Sequence, residues 1–319
     1  MTVSVLLTGG LGYVGGRVAQ ELIRSDIFDV TVTSRDPNAV EIPPWLPKNH
    51  CIPLDMEDET SITNVCKKQD IIVHFAALNE IESLRDPVKA LLVNTLGTLK
   101  LIKAAQSEGV QKFIYFSTAH VYRSPLEGKI SENIPTRPTH PYAITHRAAE
   151  DYVLAANADK TMTGIVVRLS NSLGAPINSR VNRWSLAGND LCRQAVTTHE
   201  IRLKSTGIQK RDFIPLHDVA RAVDHLIQVP SGSLGNGLFN LGGENSISIF
   251  DLAVRIQQRC SDILDFCPPV YRPEPSPSEK EGELTYSIEK LKSTGFSLSG
   301  RLEQEIDETL RFCQKHYRT

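Results

Sequence analysis

The sequence is poor in paired cysteine. Its six cysteines, at 51, 66, 192, 260, 267 and 313, include no Cys-x-x-Cys pair. That spacing excludes a zinc knuckle or disulfide frame and fits reduced thiols, so a cytoplasmic protein is expected. Basic runs are also missing. With 35 Lys and Arg against 37 Asp and Glu the formal net charge is −2, and no tract could neutralise a phosphate backbone, which argues against a nucleic-acid partner. Long apolar runs are absent too: the one at 3–7 meets Gly9 and Gly10, far short of the ~20 residues that cross a bilayer. No basic segment precedes it as in a signal peptide, so no membrane partner is expected. There is no fixed-period repeat and no low-complexity tail. What is present is 319 residues, 40% apolar and 23% charged, enough for one large domain or two unequal lobes.

Short β-rich apolar runs at 3–7, 29–33, 51–54, 71–75, 113–116 and 164–168 alternate with amphipathic stretches at 12–23, 57–67, 86–108 and 142–156. Strands separated by helices predict βαβ units and an α/β, doubly wound parallel sheet. Ile71-Ile72-Val73 is apolar on consecutive residues, as in a strand buried on both faces. After Arg168 the alternation weakens. Residues 172–210 and those from 246 onward read as irregular, with Pro-rich loops at Pro268-Pro269 and 272–277. Between them, 211–229 followed by 238–241 reads as strand, helix and strand returning to the sheet. The division expected is a dinucleotide-binding domain of 1–171 plus 211–245 and a smaller, discontinuous C-terminal substrate lobe of 172–210 plus 246–319.

Directly after the first strand stands Thr8-Gly9-Gly10-Leu11-Gly12-Tyr13-Val14-Gly15. Small residues are needed where a tight turn feeds a helix N-terminus whose amides approach a pyrophosphate, and a third glycine lets helix and strand pack closely. Placed between first strand and first helix, the turn marks a Rossmann-type dinucleotide site, with Gly9, Gly12, Tyr13, Val14 and Gly15 as candidate contacts. The second strand ends in Thr33-Ser34-Arg35. Ser34 replaces the acidic residue that would take an NAD ribose, and Arg35 could pair with a 2′-phosphate, which favours NADP(H) over NAD(H); Arg35 could equally be a solvated strand end. Asp55 could accept from the adenine amino group or cap the helix that follows.

These residues, with six further ordered stretches, resemble the extended short-chain dehydrogenase/reductase family, within it the nucleotide-sugar epimerases, dehydratases and reductases. The stretches are His74-Phe75-Ala76-Ala77, Asn94-Thr95-Leu96-Gly97-Thr98, Phe116-Ser117-Thr118-Ala119-His120-Val121-Tyr122 with Pro141-Tyr142, Arg168 to Gly174, Arg211 to Asp218, and Phe239 to Gly243. The resemblance implies Thr118 and Tyr142 as catalytic residues and adds Met56, Ala76, Ala77 and Asn94 to the cofactor contacts. A tyrosine phenolate takes the proton of a sugar hydroxyl as hydride leaves the same carbon, and a threonine hydroxyl orients that oxygen. Asn171 and Arg211 would hold the substrate's phosphates, Arg211 through its planar fork. Lys280 would stand for a further family arginine, or be one charge in a solvated run. The resemblance also implies a homodimer joined through the stretches at 86–108 and 142–156 in a four-helix bundle.

One departure stands out. The family's Tyr-x-x-x-Lys reads Tyr142-Ala143-Ile144-Thr145-His146 here. His146 lies one helical turn from Tyr142, on the same face, so it keeps a place beside the cofactor ribose. Lysine there lowers the phenol pKa by its charge; histidine, with a reference pKa of about 6.5, is mostly neutral at pH 7. After Thr118 the pair is Ala119-His120, where the 4,6-dehydratases of the family carry Asp-Glu, so dehydration is disfavoured. His120 would touch the sugar or be a plain loop histidine. The histidines at 74, 120, 140 and 146 have no metal-ligand spacing. The expectation is hydride transfer at C4 of a nucleoside-diphosphate hexose, by a 4-ketoreductase or 4-epimerase. Two alternatives stay open: a catalytically silent dinucleotide- or sugar-nucleotide-binding protein, and a reductase of a non-nucleotide ketone.

Overall fold

The computed structural model describes residues 2–317. Its first half keeps the alternation of strand and helix: β1 (Val3–Thr8), α1 (Tyr13–Leu22), β2 (Phe28–Ser34), β3 (Cys51–Pro53), α2 (Glu59–Cys66), β4 (Ile71–His74), α3 (Thr98–Ser107), β5 (Lys112–Thr118), α4 (Pro141–Ala158) and β6 (Thr163–Leu169). Then come α5 (Ala187–Thr197), α6 (Leu216–Gln228), β7 (Leu238–Leu241), α7 (Ile249–Leu264) and α8 (Leu302–Tyr317). The seven strands form one parallel sheet in the order β7-β6-β5-β4-β1-β2-β3. The strand order reverses at β1, and the crevice beyond the carboxyl ends of β1 and β4 is where such sheets bind ligands.

Both faces of the sheet are covered, which explains the unbroken apolar strands. Val5 and Leu7 face a core with Val18 and Leu22 of α1 and Val219 and Val223 of α6, while Leu6 faces the opposite core with Leu101 of α3 and Ala149 and Val153 of α4. Alternate residues of one strand thus fill two separate cores.

The helix expected at 86–108 is built in pieces. Asp86 caps a turn at Pro87–Ala90 by accepting from Lys89 N, with Pro87 at the first helical position, then a π-turn at Leu91–Gly97 leads into α3. The widened turn brings Asn94 and Thr95 to α4, where their side chains bond Thr145.

A second difference concerns Lys210–Pro215, which does not return to the main sheet. It pairs in parallel with Asn171–Leu173 and antiparallel with Ser246–Ser248 in a separate three-stranded sheet, and only β7 rejoins beside β6. The buried Asp212 carboxylate gives the reason: it accepts from Ser170 Oγ (2.6 Å), Gly243 N (2.9 Å) and Asn245 N (3.1 Å), tying the strand to the segments leaving the main sheet. The stretches read as irregular hold α5, α7 and α8, packed around Leu191, Cys192, Leu252, Ile256, Ile306 and Leu310. This unit is joined to α1 by Tyr13, whose hydroxyl donates to Asn189 Oδ1 (3.2 Å), and by Arg17, which bonds Glu305 (2.7 Å) and the Ala175 carbonyl (3.0 Å). Among the described residues no helix is long and apolar enough to cross a membrane.

Candidate active site

The glycine turn has the shape a dinucleotide pyrophosphate requires. Gly9 sits at φ +69°, and a Cβ there would lie 3.0 Å from the Ala76 amide nitrogen. A Cβ on Gly12 would come within 3.1 Å of the Gly9 carbonyl oxygen, and one on Gly15 would collide with that same oxygen. Gly12 caps α1 without any side-chain bond, and no acidic residue occupies the first turn. The uncapped N–H groups and the positive end of the helix dipole therefore face an open, neutral turn, which suits an anion. Val14 packs part-buried against the core beside the sheet. Tyr13 keeps its side chain buried and turned toward Asn189, so only its backbone can face a cofactor.

At the end of β2, Ser34 is half-buried and its carbonyl accepts from Leu54 N, while Arg35 is exposed and makes no ion pair among the described residues. Asp55 is exposed and accepts from Glu57 N (2.9 Å); the cap of α2 is Asp58 instead. Met56 is buried and holds its methyl against Gly97. Beyond β4, Ala76 N donates to Thr8 Oγ1 (3.3 Å), and Ala77 is exposed.

A polar chain fixes this edge. Thr98 Oγ1 donates to the Asn94 carbonyl (2.7 Å), so it must accept from His74 Nε2 (2.9 Å), and His74 Nδ1 then accepts from Thr8 Oγ1 (2.5 Å). His74 is a neutral imidazole, its pKa lowered to about 3 by burial and by His146. The Asn94 amide takes both backbone groups of Leu78, accepting from its N–H at 2.7 Å and donating to its carbonyl at 3.3 Å, and gives its other N–H to Thr145 Oγ1. Both donors of Asn94 are thus spent on the protein, so it positions the loop after β4.

Tyr142 stands at the second position of α4, placed by Pro141 and by His140, whose Nδ1 accepts from Tyr142 N at 3.2 Å. Burial and the Glu80 carboxylate push the Tyr142 phenol pKa up, Arg183 opposing them. Thr118 ends β5 and accepts from His120 N (3.2 Å). His146 packs its ring 4.2 Å from that of Tyr142 and donates Nδ1–H to the Tyr142 carbonyl (2.9 Å). That bond fixes the tautomer: Nε2 carries a lone pair and no proton, and it has no protein partner among the described residues. Burial lowers the His146 pKa to about 4, so the position offers an acceptor where the family lysine would offer a charged donor.

A cavity of about 260 Å³ is lined by Glu80, His120, Asn171, Ser185, Arg211 and Phe213 among others. Arg211 is part-buried and makes no ion pair among the described residues, and burial lowers its pKa. An unpaired guanidinium in a cleft is an anion site. Asn171 lines the same space and donates to the Asp212 carbonyl (3.0 Å). Ala119 is buried among Val121 and Tyr122, leaving only its backbone for a ligand. Lys280 is exposed and lies outside the cavity lining. Among the described residues no group of His, Cys, Asp and Glu could hold a metal ion.

Sequence reasoning missed Glu80 and Arg183. Arg183 NH1 donates to Glu80 Oε2 at 3.2 Å from the loop preceding α5, a pairing between residues 103 apart for which the chain carries no local signal. Also unforeseen is Tyr115, whose buried hydroxyl has no partner among the described residues and whose ring lies 5.9 Å from that of His146.

The chain is 30% identical over 184 residues to a UDP-glucose 4-epimerase of Rhizobium leguminosarum bv. trifolii, covering 57% of this chain and 55% of that protein. It thus matches little more than half the length of that relative. It is 25% identical over 335 residues to the dTDP-D-glucose 4,6-dehydratase of Mus musculus, covering 98% of this chain and 89% of that one. In fold it matches the Thermus thermophilus UDP-glucose 4-epimerase, solved in complex with NAD, with a TM-score of 0.80 at 22% identity over 98% of this chain and 100% of that one. Residues 5–242 match the model of one family. With the glycine turn, the sheet order and the tyrosine helix all in place, the chain belongs to the NAD dependent epimerase/dehydratase family.

Proposed function

We propose that the protein acts at C4 of a nucleoside-diphosphate hexose, as a 4-ketoreductase or 4-epimerase. The carrying observation is a cleft at the carboxyl edge of the sheet lined by the unpaired Arg211 and by Glu80, the carboxylate whose field reaches the Tyr142 phenol. Arg211 and Asn171 hold the diphosphate, and Thr118 orients the sugar oxygen toward Tyr142. When bound, the nicotinamide dinucleotide supplies the hydride donor or acceptor next to the sugar carbon. Tyr142 holds its proton at neutral pH, because burial and Glu80 raise its pKa, and a protonated phenol is the group that delivers a proton to a keto oxygen. His146 accepts a ribose hydroxyl through Nε2 without adding charge. Dehydration would need a separate acid and base near the sugar. Ala119 is neither. His120 is kept neutral by burial, and Glu80 is kept ionised because the Arg183 charge and the hydrogen bonds it accepts together outweigh the opposing effect of burial, so neither serves as the acid.

Ser34 and the free Arg35 favour NADP(H), with NAD(H) the other option. Residues 1–171 plus 211–245 form the cofactor domain and the rest the substrate lobe. Five of six cysteines are buried free thiols, which fits a cytoplasmic setting. α4 and the segments packed against it carry exposed Leu84, Val88, Leu91, Ile144 and Tyr152, an apolar face that fits a homodimer.

The test is turnover of 4-keto and 4-hydroxy sugar nucleotides with NADP(H) and NAD(H). Tyr142→Phe should lower kcat at least a hundredfold, the lower end of general acid–base contributions of about 10²–10⁴; undiminished turnover, or none by the native protein, refutes the proposal. His146→Lys should move the alkaline limb of the pH–rate profile toward lower pH by restoring a cation beside the phenol.

A further inference from the structure

Glu80 opens a short helix at Glu80–Arg85, capped by Asn79 in a reciprocal box with Glu82. Arg183 reaches it from the loop preceding α5, in the other lobe. The pair is part-buried, with side chains 36% and 23% exposed. Glu80 lines the cavity that also holds His120 and Arg211. Neither partner is saturated. Glu80 Oε1 takes no hydrogen bond from another residue, and only one guanidinium nitrogen of Arg183 is engaged among the described residues. The Glu80–Arg85 helix packs against α4, and the fields of both residues reach the Tyr142 phenol, Glu80 raising its pKa and Arg183 lowering it, so the pair stands at the Tyr142 side of the cleft.

We infer that the Glu80–Arg183 pair selects the sugar, admitting a neutral hexose and turning away a hexuronic acid. This rests on the nucleotide-sugar reading above. A free carboxylate oxygen and free guanidinium N–H groups side by side match neighbouring hydroxyls: one gives its proton to Glu80, and its neighbour's oxygen accepts from Arg183. A sugar carboxylate has no proton for Glu80 and meets a like charge, while Arg183 is already engaged by Glu80 and Arg211, the other cation of the cavity, is taken by the substrate's diphosphate. Juxtaposed like charges in a shielded site cost enough to separate two ligands by about a hundredfold. Arg183 keeps Glu80 ionised against the opposing effect of burial, so the discrimination persists across neutral pH.

The experiment is calorimetric titration of the full-length protein with UDP-glucose, UDP-glucuronic acid and UDP, and with the dTDP counterparts. The native protein should prefer the neutral sugar by tenfold or more. Glu80→Gln, which keeps the acceptor oxygen and removes the charge, should shrink that preference to within about threefold; its thermal midpoint reports on folding. Arg183→Gln strands the carboxylate and should widen the preference. Equal affinities in the native protein, or a ratio unmoved by Glu80→Gln, overturn the inference while leaving the function standing. Failure of every nucleotide and sugar nucleotide to bind overturns both.

Discussion

His146 and Glu150 stand one turn apart on α4 and are almost equally buried, at 2% and 0% exposure, yet they meet burial in opposite ways. Glu150 accepts two bonds from Arg168, at 3.0 Å from Nε and 2.7 Å from NH2, and a third from Ser117 Oγ at 2.5 Å. Burial works against the Arg168 charge, but the Glu150 bonds and field outweigh it, and the guanidinium also lies 4.7 Å from the Tyr122 ring. His146 has one carbonyl for a partner and stays neutral, its pKa lowered by burial to about 4. A buried charge persists only when geometry supplies a matched countercharge. Deep in the sheet that partner exists; beside the cofactor crevice it does not, and the position settles for a neutral acceptor.

The strongest way to break this contrast is Glu150→Ala, which strands the Arg168 charge. Removing one partner of a buried pair should cost about 3–5 kcal/mol, read as a loss of urea midpoint at unchanged slope; a cost below about 1 kcal/mol would mean water reaches the arginine. Next comes pH. His74 and His146 have folded pKa values lowered to about 3 and about 4, against about 6.5 unfolded. The unfolded chain therefore binds more protons between those limits. The stability they provide is present above pH 6.5 and is lost as pH falls toward 4. His146→Gln should make that decline shallower in denaturation measured from pH 7 to 4.5, and an unchanged slope would show the histidine already charged. The smallest effect concerns Tyr115, which pairs with neither side. Tyr115→Phe removes an unsatisfied buried hydroxyl and should stabilise the fold by about 1 kcal/mol; a destabilised variant would reveal a hidden partner, such as an ordered water.

Much of the fold was legible because local pattern and tertiary role agreed. The strand at 71–74 reads apolar at Ile71, Ile72 and Val73, and it is buried on both faces of the sheet. Gly9, Gly12 and Gly15 announce their turn because each closes a backbone approach that a Cβ would block. The Lys210–Pro215 strand was misplaced because its composition resembles any short strand, while its sheet is chosen by the Asp212 bonds to Ser170, Gly243 and Asn245. The motif marks Asn94 as a cofactor contact; only the folded chain shows both its donors already taken.

By itself the sequence determined the parallel sheet, the anion-ready helix start, and the placing of Tyr142 and His146 on one helical face, because spacing along a chain fixes direction over one turn. The tertiary structure decided the protonation of those groups and what surrounds them. His146 is neutral because of what buries it, and Glu80 meets Arg183 because the fold brings together segments 103 residues apart. Burial and charge pairing between distant segments depend on the folded path of the chain, and no local pattern encodes them.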